Sequence, residues 1–344
     1  MRRPIAYATL VVLGLLAACS DSANAPPPDG SGSNAEGGSD ATSGDATTPP
    51  ADANPEDAGA TDAPSDAPAD APNDTGGGAW VPPVVATTSA GCGTDRADAW
   101  GVDSATPGGR TFHVWGPSGY DKNKTYPVVI MFHGIQSNGR DFESWFKMED
   151  YTNNEAFVVY PDAAPEWDTW GDKDVLFFDA MVKQLGQTYC INPSRVLAFG
   201  YSWGGHFVDR LGCQRAGYVK AMMIGAGGTS GAGGAGCGRL PVLVTTRALD
   251  YDEPPANAQG VASKWVGINQ CGAAGAKAYQ NDTVTGSGAM GWCQAYAGCK
   301  TPGSVKYCYD DSSMAGIPYY DPSWDHTVRE YYRWFAFEWF KALP

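Results

Sequence analysis

The strongest chemical signal in the sequence is a serine in the pentapeptide 200–204, Gly-Tyr-Ser-Trp-Gly. Ser202 follows the apolar run 196–199 and precedes a stretch that is predicted as a helix. In this strand–turn–helix context, Gly-x-Ser-x-Gly presents an exposed nucleophilic hydroxyl. Gly200 and Gly204 suit so tight a turn because side chains there would collide with neighbouring backbone. The pattern therefore predicts Ser202 as a nucleophile rather than as part of a structural turn.

A serine nucleophile needs a base and an acid, and after this motif they follow in the order Asp/Glu, then His. Two histidines follow the serine. His206 lies one turn along the next helix, so its side chain is directed away from the hydroxyl, and we predict His326 as the base. Asp250 is the first carboxylate after the predicted strand 241–246 and is predicted as the acid. Asp252 is the alternative, and a turn or capping role for Asp250 stays open.

Backbone amides must hold the negative charge that develops on an attacked carbonyl. One is the amide of Trp203, which lies at the start of the predicted helix. The second is expected in the loop after the predicted strand 128–132, where Gly134 lets the backbone approach the substrate and Ile135 supplies the amide. His133 opens this loop, and it either shapes the turn or supports catalysis and substrate binding.

Tryptophans near these residues could form an aromatic wall for a planar acyl group, a sugar ring or a polyester segment. Trp203 adjoins the nucleophile and Trp324 lies beside the base. Trp167 and Trp170 belong to the loop after the predicted strand 157–160. We predict that all of them bind substrate, with core filling as the alternative for each one.

The elements that must position these residues alternate from about residue 110 between short β-branched runs and helical stretches. Continuous apolar runs such as 128–132 are typical of strands buried on both faces. The alternation predicts an α/β fold with a mostly parallel sheet and helices on both faces. Predicted strands are 111–115, 128–132, 157–160, 196–199, 221–224 and 242–246; predicted helices are 174–187, 203–211, 256–269 and 327–343. The glycine-rich segment 225–238 is predicted as a loop.

Apart from Cys19, the chain has eight cysteines, an even number that predicts up to four disulfides stapling an exported domain. We expect Cys299 and Cys308 to close a local hairpin and Cys271 to pair with Cys293. The chain has four histidines and no Cys-x-x-Cys pair, which speaks against zinc. The chemistry outlined above needs no metal or organic cofactor. The eight cysteines other than Cys19 are Cys92, Cys190, Cys213, Cys237, Cys271, Cys293, Cys299 and Cys308.

The first residues have the pattern of an export signal. Arg2 and Arg3 precede an apolar run over 5–16, which is too short to span a bilayer. The run ends in Leu-Ala-Ala-Cys, which resembles the lipobox of bacterial lipoproteins and predicts lipidation of Cys19. An ordinary cleaved signal is the alternative. Ser20 at the next position favours the outer membrane. We predict a signal peptide over 1–19 and a chain anchored to the cell envelope, or secreted.

Residues 20–79 contain twelve Asp or Glu and no Lys, Arg or large apolar residue. Such a segment cannot bury a core, and its repeated Asp-Ala-Pro units repel one another, so we predict a disordered acidic tether. Without the tether and the two N-terminal arginines, the net charge of −15 falls to −5 over 80–344, which is long enough for one large catalytic domain. The chain has no Lys/Arg cluster to neutralise phosphates, which excludes a basic nucleic-acid binder.

Several stretches together show a family pattern across most of residues 89–344. They are 89–93, 189–196, 200–205 and 211–213, followed by 241–244, Asp250, 264–265 and 269–271. The pattern resembles secreted feruloyl esterases of carbohydrate esterase family one, relatives of the polyhydroxybutyrate depolymerase-like esterases. The resemblance implies an α/β-hydrolase fold with Ser202, Asp250 and His326 as the triad.

The sequence departs from this family pattern beside the acid and beside the base. Thr-Thr-Arg at 245–247 stands where the family usually has His-Gly shortly before the acid. Pro-Ser-Trp-Asp at 322–325 replaces the usual glycine-rich approach to the catalytic histidine. The departures leave the triad residues in place and indicate diverged substrate loops.

These observations together predict a serine carboxylesterase that acts on feruloyl or acetyl esters of plant cell-wall xylan. A polyhydroxyalkanoate or related polyester depolymerase is the alternative with the same chemistry. A surface lipoprotein that binds polysaccharide on a degenerate hydrolase scaffold is the non-catalytic alternative. The expected partners are the ester substrate and, through the lipid anchor alone, a membrane; the chain is expected to be a monomer.

Overall fold

The computed structural model describes residues 86–96, 100–231, 236–284, 288–311 and 326–344. The predicted signal peptide over 1–19, the tether over 20–79, Cys19 and Trp324 lie outside the described residues. Within the described ranges, no helix is both long enough and apolar enough to cross a membrane.

The strands form one twisted sheet in the order β1-β2-β4-β3-β5-β6-β7-β10-β9-β8. Its centre, from β4 to β10, is parallel, and the strands at each edge pair antiparallel. The strands are β1 (Trp100–Ala105), β2 (Thr111–Trp115), β3 (Tyr126–Phe132), β4 (Phe157–Pro161), β5 (Ile191–Tyr201), β6 (Ala221–Gly225), β7 (Pro241–Arg247), β8 (Ala278–Asp282), β9 (Gly288–Ala295) and β10 (Ser304–Asp310).

Helices cover both faces of this sheet. The helices are α1 (Gly139–Phe146), α2 (Lys173–Thr188), α3 (Trp203–Arg215), α4 (Pro255–Ile268) and α5 (Glu330–Lys341), with a short 3-10 turn at Met148–Tyr151. Buried side chains of α2, α3 and α4 belong to the core on one face of the sheet, and those of α1 and α5 belong to the core on the other. Side chains alternate along β3, so this strand contributes to the core on both faces of the sheet. Ile130 and Phe132 point to the first face, and Val129 and Met131 point to the second.

The predicted α/β-hydrolase architecture, with a mostly parallel sheet between helical layers, is confirmed. All six predicted strands are present, several of them longer than predicted, and the four predicted helices differ from the observed ones by a few residues at their ends. Strands β1, β8, β9 and β10 and helix α1 are not among the predicted elements. The run from 278 to 310 carries polar residues and glycines between short apolar stretches, so its period-2 signal is weak.

Four disulfides staple the described part of the chain, as the cysteine count predicted, but the two expected pairings are wrong. The bonds join Cys92 to Cys190, Cys213 to Cys237, Cys271 to Cys299, and Cys293 to Cys308. The strand register explains the last two. Cys308 on β10 lies directly opposite Cys293 on the antiparallel neighbour β9. The turn after β9 then meets the end of α4, where the amide of Lys300 donates to the carbonyl of Asn269.

Candidate active site

Ser202 lies in the sharp turn between the end of β5 and the start of α3. Its backbone has φ 53° and ψ −124°, a conformation that non-glycine residues rarely adopt. The Ser202 amide donates to the carbonyl of Gly225 at 3.0 Å, which ties the turn to the neighbouring strand β6. The strain and its support give this serine the geometry of a nucleophile elbow.

Two glycines make the turn possible. A Cβ atom on Gly200 would collide with the carbonyl oxygen of Gly204, and one on Gly204 would collide with the carbonyl oxygen of Phe132. The atoms in the way are backbone atoms, which cannot rotate aside as a side chain could. The glycine spacing of the motif therefore follows from close packing of α3 against β5 and β3.

His326 and Asp250 complete a chain of hydrogen bonds that starts at Ser202. Nε2 of His326 lies 2.8 Å from Oγ of Ser202, and Nδ1 lies 3.0 Å from each carboxylate oxygen of Asp250. An ionised carboxylate can only accept, so Nδ1 carries the proton and Nε2 of the neutral ring accepts from the Ser202 hydroxyl. This tautomer is the one that a general base for the serine requires.

Asp250 reaches His326 from the loop after β7, and its carboxylate is fully buried. Its Oδ1 also accepts a hydrogen bond from the amide of Glu253 at 2.8 Å. The two readings left open for this residue are therefore compatible: Asp250 shapes its own turn and orients the imidazole. Asp252, the alternative acid, acts on His326 through its charge.

The pKa of His326 reflects opposing influences. Burial by itself lowers this pKa, but the hydrogen bond and the charge of Asp250 outweigh it, with smaller contributions from Asp252 and Glu253. The net result is a pKa raised above the ordinary value of 6.5. Asp250 thus stabilises the imidazolium that forms when His326 takes a proton.

The two amides predicted to hold an oxyanion belong to segments on either side of Ser202. The amide of Trp203 belongs to the first residue of α3, where helical hydrogen bonding leaves amides unpaired. On the other side, a Cβ atom on Gly134 would lie 3.2 Å from Cβ of Ser202, so this loop approaches the serine closely. The amide of Ile135, the next residue, has no acceptor among the described residues.

Known proteins provide an independent comparison. No protein-family model matches the chain. The probable feruloyl esterase C of Aspergillus clavatus is 30% identical over 195 residues, which cover 55% of this chain and 71% of that protein. The chain belongs to the feruloyl esterase family. The probable feruloyl esterase C of Aspergillus niger is 27% identical over 243 residues, covering 68% of this chain and 86% of that protein.

Solved structures agree on the fold. A thermostable esterase shares it with a TM-score of 0.50 at 18% identity, over 70% of this chain and 61% of that one. The chain is therefore a carboxylic ester hydrolase with an α/β-hydrolase fold, as the sequence predicted. Its disulfides fit an extracellular protein.

His133 of this esterase is fully buried, which contradicts the prediction that it binds substrate. Its Nδ1 donates to the carbonyl of Gly134 at 2.7 Å, and its Nε2 accepts from the amide of Ala163 at 3.2 Å. Burial lowers the pKa of His133, so the ring stays neutral and keeps both bonds. Its role is to fix the loop that carries Ile135.

The predicted aromatic wall divides into exposed and buried members. Trp170 is 72% exposed and its ring lies against Gly231, whereas Trp203 is half-buried beside the serine. Trp167 is only 2% exposed, and its indole N–H donates to the carbonyl of His133 at 2.9 Å. Substrate cannot stack on Trp167, so the core-filling alternative holds for that residue.

Tyr201 is a residue of the site that the sequence analysis passed over. Its hydroxyl donates to the carbonyl oxygen of His326 at 2.5 Å, and the two rings lie 5.2 Å apart. Burial raises the pKa of Tyr201 well above its ordinary value, with added effects of the Asp250 and Asp252 charges, so the phenol stays a donor. Its position inside the pentapeptide 200–204 could have marked Tyr201 as a site residue. Its hydrogen-bond partner, however, lies 125 residues further along the chain.

His206, excluded as the base, makes a second imidazole–carboxylate pair in the esterase. Its Nε2 lies 2.7 Å from Oε1 of Glu253, and its Nδ1 lies 2.8 Å from the carbonyl of Thr229. Burial lowers the pKa of His206, but the bond and charge of Glu253 raise it to a net value above 6.5. The pair connects α3 to the loop that carries Asp250. Within the described ranges, no cluster of three metal-ligating side chains occurs.

Proposed function

We propose that this esterase hydrolyses feruloyl esters of plant cell-wall polysaccharide through a triad of Ser202, His326 and Asp250. The observation that carries the proposal is the unbroken hydrogen-bond chain from the serine hydroxyl to the buried carboxylate, with distances of 2.8 and 3.0 Å. The names of the curated relatives support the feruloyl group as the acyl part of the substrate.

The first half of the proposed reaction forms an acyl-enzyme. Oγ of Ser202 attacks the ester carbonyl while Nε2 of His326 takes the hydroxyl proton. The amides of Trp203 and Ile135 donate to the carbonyl oxygen as it becomes negative. The tetrahedral intermediate then collapses, the bond from the acyl carbon to the sugar oxygen breaks, and His326 gives its proton to that oxygen, which leaves as a hydroxyl.

The second half releases the acid. Nε2 of His326 removes a proton from a water molecule as the water attacks the acyl carbonyl, and the same two amides hold the second oxyanion. Collapse of this intermediate breaks the bond to Ser202 and returns the proton to its Oγ. Asp250 stays ionised throughout and stabilises the imidazolium in both halves.

Exposed apolar side chains on the loop after β3 and on the segment tied to α3 support recognition of a planar acyl group. Ile135 is 56% exposed at the oxyanion loop, and Trp170 is exposed beside Gly231. The segment carrying Trp170 is tied to the nucleophile helix, because the indole N–H of Trp203 donates to the carbonyl of Trp167 at 3.1 Å. We assign Trp170 and Trp203 as the rings that stack on the hydroxycinnamoyl group.

Hydrolysis of p-nitrophenyl acetate by the wild type and by Ser202→Ala tests the enzymatic part of this proposal. We expect the variant to lose at least about 10³-fold in kcat, since nucleophile removal leaves little beyond oxyanion binding. Equal background rates in the two proteins would refute catalysis and favour a binding protein on a degenerate scaffold.

Turnover of methyl ferulate against a hydroxybutyrate oligomer tests the acyl group. We expect methyl ferulate to be hydrolysed, with Trp170→Ala raising its KM several-fold and leaving hydrolysis of p-nitrophenyl acetate unchanged. Tyr279→Ala is the matched control, because Tyr279 is an equally exposed aromatic residue on the edge strand β8. Release of hydroxybutyrate alone would replace feruloyl esters by a polyester as the substrate.

The N-terminal residues support a location for this activity. We infer that Cys19 carries a lipid, that 20–79 is an acidic tether and that 80–344 is the catalytic domain. The basis is the Leu-Ala-Ala-Cys sequence and a tether composition without large apolar residues. The esterase would then act as a monomer at the cell surface on polysaccharide outside the cell.

A further inference from the structure

A buried ionic cluster lies beside the loops that carry Asp250 and His326. Asp310, the last residue of β10, is 1% exposed. Its Oδ2 lies 2.9 Å from Nε of Arg329 and 3.4 Å from Nε of Arg247. Both arginine side chains are also largely buried. The carboxylate of Asp310 therefore forms ion pairs with two arginines from different segments.

The two arginines occupy matching places relative to the acid and the base. Arg247 ends β7 three residues before Asp250, and Arg329 stands three residues after His326, at the N-cap of α5. Asp310 thus connects a point close to the acid with a point close to the base. Arg247 and Arg329 are far apart in sequence, and both contact the carboxylate of Asp310.

Backbone pairing fixes Asp310 on the acid side. Strands β7 and β10 are parallel neighbours in which Asp310 lies opposite Arg247. Beyond the strand ends, the amide of Ala248 donates to the carbonyl of Asp310 at 2.8 Å. The carboxylate is therefore held rigidly relative to the loop of Asp250. The base loop, which meets it through Arg329, is the part that it can orient.

The energetics favour a role in geometry over one in stability. Burying charges costs desolvation free energy that the ionic attraction only partly offsets, so such clusters contribute little net stability. Removing one member, in contrast, leaves an uncompensated buried charge and allows its partners to move. A cluster between two catalytic loops is thus suited to fixing their separation.

We propose that Asp310 is a positioning residue that, through Arg329 and Arg247, holds His326 in register with Asp250. The proposal rests on the triad proposed above. Asp310 touches neither the serine nor its substrate, so it acts through the two loops. Displacing a reacting group by about 1 Å can cost on the order of 10²-fold in rate, and a triad whose base and acid come from separate loops is exposed to that loss.

Asp310→Asn tests the proposal by kinetics, because the amide keeps the shape and removes the charge. We expect kcat per titrated Ser202 site to fall about 10- to 100-fold with KM changed less than about threefold. Asp174→Asn is the matched control: Asp174 is a fully buried carboxylate paired with Arg110 at 2.8 Å, away from both loops. Asp174→Asn should lose stability to a similar degree and keep its kcat for p-nitrophenyl acetate, whose hydrolysis does not depend on the Trp170 segment that Asp174 supports through the amide of Asp168.

Arg329→Gln separates positioning from a direct effect of charge, because the two predict opposite changes in the pKa of His326. Removing a positive charge near His326 would by itself raise the pKa of the imidazole. Loosening the contact with Asp250 lowers that pKa, since the contact is what raises it. Asp252 and Glu253, the other charges acting on this ring, are unchanged in the variant. We expect the NMR-titrated pKa of His326 to fall in Arg329→Gln and to recover in Arg329→Lys.

The outcomes separate this inference from the proposed function. An unchanged kcat in folded Asp310→Asn, or an unchanged or raised pKa of His326 in Arg329→Gln, overturns the positioning role. If Asp310→Asn does not fold, the Arg329 pair of variants decides alone. If the wild type is no faster than Ser202→Ala, the proposed function fails, and the titration of His326 still decides whether the cluster sets the contact between His326 and Asp250.

Discussion

At the scale of single residues, the site depends on how a buried carboxylate sets the protonation of the imidazole that faces the serine. Burial alone would make His326 a weaker base, and the buried carboxylate of Asp250 reverses that effect. The serine hydroxyl then meets a ring whose free nitrogen faces it. The arrangement is chemically useful because the acid can only accept hydrogen bonds and therefore dictates the tautomer.

Asp250→Asn should reduce kcat on the order of 10³- to 10⁴-fold, because an amide can present its NH₂ to Nδ1 and stabilise the wrong tautomer. Asp252→Asn is the control, since it removes a neighbouring charge that also acts on His326 without a hydrogen bond to it. Steady-state kinetics on one soluble ester compares the two variants. A larger loss in Asp252→Asn would transfer the role of acid to that residue.

The pH dependence of kcat/KM should have an acidic limb with its midpoint above 6.5. His326 must be neutral to accept the serine proton, and its pKa in the folded enzyme is raised, so activity is lost as pH falls through that pKa. The raised pKa also means that protonated His326 stabilises the fold at low pH, a contribution lost as pH rises through the same value. A midpoint at or below 6.5 would contradict the hydrogen bond between Asp250 and Nδ1 of His326.

At the scale of elements, the crossing of β5, α3 and β3 determines the shape of the nucleophile turn. The glycines of the motif mark places where one backbone meets another. The same crossing brings Gly134, in the loop after β3, to the side of Ser202. The packing of neighbouring elements therefore positions the proposed nucleophile and the loop of the proposed oxyanion amide.

Gly204→Ala should abolish activity and strongly lower the melting temperature, because its Cβ would overlap the carbonyl oxygen of Phe132 and neither backbone can yield. The matched control is Gly260→Ala in α4, where an added Cβ meets no atom within 4 Å. That variant should gain about 0.5–1 kcal/mol from helix propensity and keep full activity. Thermal unfolding measures the stability of each variant, and ester hydrolysis measures its activity. Equal melting temperatures and equal activities of the two variants would refute the packing argument.

At the scale of the whole molecule, the proposed catalytic site joins distant parts of the chain. Ser202, Asp250 and His326 come from three different segments. The disulfide between Cys92 and Cys190 joins two further segments that are 98 residues apart in sequence. The predicted anchor and tether lie outside the described residues, and their role remains a proposal about location. The residues of the proposed triad lie outside these two segments.

A chain starting at residue 80 should hydrolyse a soluble ester with the same kcat/KM as the chain of 344 residues, because the proposed triad of Ser202, Asp250 and His326 lies within 80–344. In a bacterial host, Cys19→Ala should lose its fatty-acid label and its retention in the membrane fraction. Ser20→Asp is the matched control, which should keep the label and change the membrane in which the protein resides. A labelled Cys19→Ala would exclude lipidation at this cysteine.

The sequence by itself determined the class of fold and the chemistry. Continuous apolar runs indicated buried parallel strands, and a glycine-flanked serine between strand and helix indicated the nucleophile. These signals are local, because hydrophobic period and turn sterics act within a few residues. The order of acid and base along the chain then left His326 as the base by elimination, and Asp250, with Asp252 as the alternative, as the acid.

Tertiary structure alone decided which distant groups meet. The pairing of Cys293 with Cys308 depends on the register of strands β9 and β10, which the sequence analysis did not recognise. The burial of Trp167, the bond from Tyr201 to His326 and the contact of Asp310 with Arg329 likewise join groups far apart in sequence. Such contacts depend on how the sheet and its helices pack, and no short stretch of sequence encodes that packing.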